Sequence, residues 1–210
     1  MKRYIKSDKE YETGGKTFDG YMGATGWEGR NYDLNLDIKE IAKIVRSQFR
    51  KKFPGYKISA RISRFSGGQS LDVVVWMHLS DLMSKEDFVA KAAANPWGIF
   101  RPNDWVSYKD ENGRYTSKLA ESFFYDMQRP ELEEFFSTYY DDQIAKYSGS
   151  DSYSITYTGA VYGGIPLTNT APLDYVQHLM DSFNYDDSNS MVDYFSVNFY
   201  DSLAYKYDKS

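Results

Sequence analysis

Cysteine is absent from this sequence of 210 residues. That excludes disulfides, thiolate metal sites and a cysteine nucleophile. Histidine is nearly absent, with only His78 and His178, too few for a His-rich metal centre. No apolar run approaches the roughly 18 residues that span a membrane. The N-terminal MKRYIKSDKEYETGG is basic but has no apolar core behind it, unlike a secretory signal. The expectation is a soluble, cytoplasmic chain. Catalytic signatures are missing too. No serine lies in a Gly-x-Ser-x-Gly elbow. GGKT at Gly14 to Thr17 resembles the end of a phosphate loop, but Glu10 stands where that pattern needs its first glycine. DDSNSMVD lacks both the glycine and the closing glutamate of a calcium loop. The adjacent pairs Glu133-Glu134, Asp141-Asp142 and Asp186-Asp187 do not face one another if helical, so they form no acid/base dyad by themselves. No enzyme activity, catalytic residue, cofactor or metal is expected.

Aromatic residues and a lopsided charge are what the sequence does have. It carries 20 Tyr, 13 Phe and 4 Trp. Residues 1 to 105 hold 18 Lys/Arg against 13 Asp/Glu, and residues 106 to 210 hold 7 against 17, so nets of +5 and −10 give the chain's −5. Such asymmetry points either to charged partners or to two halves that balance each other across one fold.

The length suits one domain, with residues 1 to 16 as a loose arm or short edge strand. A strand is expected near Phe18 to Met22, followed by turns at glycines 20, 23, 26 and 29. The spacing of Ile38, Ile41, Ala42, Val45, Phe49 and Phe53 predicts a helix over 37 to 53. Asp37 would cap it, with Glu40 as reciprocal partner, and Pro54-Gly55 would end it. Next comes a hairpin over 56 to 79. Centring a two-residue turn on Gly67-Gly68 pairs Ile62 with Val73, Ala60 with Val75 and Ile58 with Met77 on one apolar face. Further helices are predicted at 84 to 95 (capped by Ser84), 116 to 128, 130 to 147 and 172 to 185. Strands are predicted around Trp105 to Tyr108, over 152 to 162, and at the end through Phe195, Val197 and Phe199. The fold class is α+β: an antiparallel sheet built around the hairpin, packed by helices on one side. Residues 37 to 79 would be its helix-hairpin core and 116 to 210 an acidic, Tyr-rich portion.

The segment DIKEIAKIVRSQFRKKFPGYKISARISRFSGGQSLDVVVW resembles the large polyvalent protein-associated domain 29 family of phage and mobile-element proteins. The helix leading to FPG, the extended KISARISRFSGG and the SLDVVVW that follows carry the resemblance, over residues 37 to 76. FNYDDSNSMVDYF near the end is similar to the acidic, aromatic tail of such proteins. The resemblance implies an accessory role beside DNA-processing or host-takeover modules, inside the host cell. It supplies no catalytic residues.

Two charged surfaces are candidates for binding. Lys39, Lys43, Arg46 and Arg50 step by four, three and four, forming a stripe about a quarter-turn from the apolar one. Lys57 and Arg61 on the hairpin join it. Such a surface suits phosphates, unless the acidic half neutralises it. The other candidate sets carboxylates among tyrosines: Glu133, Glu134, Tyr139, Tyr140, Asp141 and Asp142, then Asp186, Asp187, Asp193 and Tyr194. Spaced carboxylates can imitate nucleic-acid phosphates in a basic groove of another protein, with Tyr adding contact area. The preferred expectation is a non-enzymatic accessory protein that binds a host protein complex through the acidic surface, as an anti-CRISPR or anti-restriction type inhibitor would. The alternative is nucleic-acid binding through the basic helix and hairpin.

Overall fold

A computed structural model describes residues 4–5, 15–19, 25–110, 112–149, 155–156, 167–188 and 196–207. In chain order the strands are β1 (Tyr4–Ile5), β2 (Lys16–Asp19), β3 (Thr25–Glu28), β4 (Lys57–Phe65), β5 (Gly68–Met77), β6 (Trp105–Lys109), β7 (Tyr115–Leu119), β8 (Ile155–Thr156), β9 (Tyr185–Asp186) and β10 (Tyr200–Tyr207). The helices are α1 (Ile38–Lys52), α2 (Lys85–Ala94), α3 (Ala120–Phe124), α4 (Arg129–Gly149) and α5 (Ala171–Phe183). The class is α+β.

Helix α1 forms where its apolar spacing predicts. Ile38, Ile41, Ala42, Val45 and Phe49 are all buried. The Asp37 carboxylate accepts the Lys39 N–H at 2.7 Å and the Arg64 guanidinium at 2.9 Å. The expected box with Glu40 is thus replaced by a simple cap tied to the hairpin. At the other end the Phe53 N–H donates to the Phe49 carbonyl at 2.7 Å, and Pro54 cannot extend the helix.

The hairpin forms, with its register two residues from the expected one. Phe65 pairs with Gly68, so the turn is Ser66-Gly67, and Ile62, Ala60 and Ile58 face Leu71, Val73 and Val75. Gly67 takes φ +97°, a left-handed conformation that glycine adopts without strain. Because strand side chains alternate with period two, a slip of two leaves every residue on its expected face. It brings Leu71 into the core, where Val73, Val75 and Met77 also lie buried, while Ile62 is half-buried at the margin.

The sheet around the hairpin is mixed, not wholly antiparallel. Its order is β4-β5-β10-β8, and β10 lies parallel to β5, with Leu203 beside Val73 and Tyr205 beside Val75. A parallel neighbour needs a crossover, and here that crossover carries most of the second half of the chain. Helices α1 and α5 lie side by side on one face. Leu173, Val176, Met180 and Phe183 of α5 complete the core with Phe199 and Leu203. The last strand begins at Tyr200. Val197 forms only an isolated bridge with Asp186, Phe199 is buried just before the strand, and Phe195 lies outside the described residues. Of the strand expected over 152 to 162, only Ile155–Thr156 is described.

A second sheet, β1-β2-β3-β9, accounts for glycines expected to mark turns. Gly26 lies within β3 under the Phe18 ring, and Gly29 sits against the carbonyls of Asp181 and Ser182. A side chain on Gly29 would meet that backbone, so this glycine serves close approach. Lys16 and Thr17 of the GGKT segment are strand residues, with Thr17 buried, which is not phosphate-loop geometry.

The remaining elements build a separate aromatic cluster. Phe88, Ala92, Val106, Ala120, Phe123, Phe124, Leu132 and Phe136 are buried together from α2, β6, α3 and α4. The helix expected over 116 to 128 is instead strand β7 followed by the short α3. The Asp110 carboxylate accepts the N–H groups of Asn112 and Arg114, each at 2.9 Å, and Gly113 takes φ +73°. That turn folds Tyr115–Leu119 back onto β6. Asp81 ties this half to the first. Its carboxylate accepts the Tyr56 hydroxyl and the His78 N–H, both at 2.8 Å, and its carbonyl accepts the Asn169 N–H at 2.8 Å.

Candidate functional site

The basic stripe lies along the edge of the mixed sheet. Helix α1 buries one side on the core and turns its flank towards β4, an edge strand. Arg46 is half-buried, and its Nη1 donates to the Ala60 carbonyl of β4 at 3.2 Å. Two contacts then fix helix against strand. Arg46 meets Ala60, and Asp37 meets Arg64. Nine helical residues rise about 13.5 Å, and four strand residues advance about 13 Å. The two elements therefore run antiparallel in step, and the stripe follows the strand. Arg46 also covers an edge carbonyl that would otherwise be open to another chain.

Lys39, Lys43 and Arg50 project into solvent. With Arg46 and Ser47, Lys43 and Arg50 line a concavity of about 420 Å³. Among the described residues none of these four cations enters an ion pair. On the sheet face away from the helices, Lys57 and Arg61 are exposed, with Arg61 directly opposite Asp72 of β5. The Lys39 N–H, helped by the Arg64 guanidinium, holds the Asp37 carboxyl below the usual carboxylate range. Arg64 is therefore occupied at the head of the stripe.

The acidic, Tyr-rich set does not assemble into one surface. Glu133, Glu134, Tyr139, Tyr140, Asp141 and Asp142 lie on α4, whose inner side belongs to the aromatic cluster. Tyr139 is half-buried, its ring 5.5 Å from that of Phe100. The Tyr140 hydroxyl donates to the Met83 carbonyl at 2.7 Å. Burial first, then the charges of Glu86 and Asp141, push that hydroxyl's pKa up. These two tyrosines hold α4 in place. Asp141 pairs with Lys85 at 2.6 Å, and Glu133 with Arg129 at 2.9 Å. Glu134 and Asp142 point outward. Asp186 and Asp187 lie elsewhere, at β9 in the second sheet. Asp186 accepts the Ser188 N–H at 2.8 Å, and Asp187 accepts the Tyr185 hydroxyl at 3.4 Å. Asp193 and Tyr194 fall outside the described residues.

Two groupings escaped sequence reading. One is Tyr56, His78 and Asp81, with the Tyr56 and His78 rings 4.6 Å apart. Burial, then the hydrogen bond to Asp81 and its charge, raise the Tyr56 hydroxyl to about 12. The other is the exposed ring pair Phe65 and Tyr200, with centroids 5.9 Å apart. Only the parallel pairing of β10 with β5 brings Tyr200 to the hairpin turn. Among the described residues no three His, Asp or Glu side chains converge on a metal-sized point, and no helix is long and apolar enough to cross a membrane. No family model, curated protein or solved structure matches the chain.

Proposed function

We propose that this chain is a non-enzymatic binding protein that holds the phosphate backbone of a nucleic acid on the basic flank of α1. One observation carries the reading. Lys39, Lys43 and Arg50 stand exposed, Lys43 and Arg50 line a concavity, and no acidic side chain among the described residues forms an ion pair with the three. Neutralising such a row releases counterions from the polyanion, which drives association. The net charge of −5 is compatible with this because α4, which carries Glu133, Glu134, Asp141 and Asp142, packs in a different hydrophobic cluster from α1. The mobile-element setting and the host-cell cytoplasm, both implied by the resemblance of residues 37 to 76, belong to the same proposal.

A second reading keeps the acidic surface as the working one, engaging a basic groove of a host defence complex. Glu134 and Asp142, outward on α4, favour it. Charge reversal separates the two. Lys43→Glu with Arg50→Glu abolishes nucleic-acid binding under the first reading. Under the second, the protein binds no nucleic acid, and Glu134→Lys with Asp142→Lys is the damaging pair.

A further inference from the structure

Helices α1 and α5 cover one face of the mixed sheet. The other presents Arg61, Ser63 and Phe65 of β4, then Ser70, Asp72, Val74 and Trp76 of β5, with Tyr200 beside Ser70 on β10. At the turn end of this face two large rings stand in solvent. Phe65 is 51% exposed and Tyr200 is 42% exposed. They are not scattered surface aromatics. Their centroids lie 5.9 Å apart with a tilt of 33°, and they flank Gly68. A Cβ on Gly68 would sit 3.1 Å from a ring carbon of each. The missing side chain lets the two rings approach across the strand and form a shelf.

The shelf has a fixed place relative to the cations. Arg64 contacts Asp37 at the start of α1, so Phe65, the next residue, lies at the Lys39 end of the stripe. Arg61 is on the same face as Phe65 and four residues away, about 13 Å along the strand. Aromatic rings on one face of an edge strand, with exposed cations on the helix that lines that edge, match a ligand with π-faces and a charged backbone. A duplex hides its base faces inside its own stack, whereas a single strand offers them.

We infer that the nucleic acid held by this protein is single-stranded, with bases stacked on Phe65 and Tyr200 and its backbone passing from Arg61 round the β4 edge to Lys39, Lys43 and Arg50. This rests on reading the α1 flank as the phosphate surface. Stacking accepts any base, so binding tolerates sequence. Ribose and deoxyribose strands are two sources of the same chemistry, and both belong in the test.

The experiment is fluorescence anisotropy of the full chain with labelled oligothymidylate, oligouridylate and a mixed-sequence duplex, each of about twelve nucleotides or base pairs. The single strands bind at least roughly tenfold tighter than the duplex. Phe65→Ala and Tyr200→Ala each weaken single-strand binding by roughly five- to a hundredfold and leave duplex binding unchanged, while Tyr200→Phe retains the wild-type affinity. Both rings are exposed, and thermal melts of the variants verify the fold. Equal binding of strand and duplex, unaffected by Phe65→Ala and Tyr200→Ala but abolished by Lys43→Glu with Arg50→Glu, overturns the inference and leaves the phosphate surface standing. Absence of binding to every probe overturns both.

Discussion

Arg46 differs from its neighbours in the stripe. Its guanidinium reaches the Ala60 carbonyl, whereas Lys43 and Arg50 extend into solvent. Arg46→Ala should therefore cost about 1 kcal/mol of stability through the lost hydrogen bond, and Lys43→Ala no more than about 0.5 kcal/mol, both read by urea denaturation. Tyr56 gives a second test at this scale. Its folded pKa of about 12 lies above the ordinary 10.0, so the protonated hydroxyl stabilises the fold. That contribution is complete below pH 10 and is lost as pH rises through about 12. The difference between absorbance titrations of wild type and Tyr56→Phe isolates this hydroxyl. In Asp81→Asn its midpoint should move back towards 10. The sequence shows each of these side chains but not the partner it meets. Arg46 reads as one of four equivalent cations, and only the fold sets it over Ala60. Tyr139 and Tyr140 read as contact surface because α4 shows no clear apolar stripe. Both in fact pack against the aromatic cluster.

At the scale of elements, local signals carried the first half of the chain well. Helix α1 has a wide apolar stripe and a cap, so its limits were legible to within a residue. The hairpin's faces were legible from alternation, but its turn was not. Gly67 and Gly68 are both acceptable centres by residue type, and a two-residue slip conserves the pattern. The left-handed φ at Gly67 identifies which glycine is required. Gly67→Ala should cost about 1–2 kcal/mol in denaturant unfolding, and Gly68→Ala should instead disturb the Phe65–Tyr200 pair. Residues 116 to 119 read as helical because the segment continues into α3. Strand β7 exists because the Asp110 turn returns the chain onto β6, which is a pairing and not a propensity.

At the scale of the whole molecule, the α+β class was legible and the topology was not. Parallel β10 is the clearest case, since no local feature of YDSLAYKY says which strand it will join. That pairing decides the candidate site, because it delivers Tyr200 to the hairpin turn. Charge asymmetry was visible in the sequence, but two readings of it were open. The fold separates the halves: Asp141 and Glu133 of α4 pair with Lys85 and Arg129, and Lys39, Lys43 and Arg50 of α1 keep their charge exposed. Under the proposed function, this exposed row binds phosphates. The most direct test is the affinity of the full chain for labelled single strands between about 50 and about 200 mM salt. With Arg61, Lys39, Lys43 and Arg50 engaged, log K should fall against log salt with a slope of roughly −3, and Lys43→Glu with Arg50→Glu should abolish binding or flatten that slope. A wild-type slope near zero, or one that the double reversal leaves unchanged, would mean that this row does not hold phosphates.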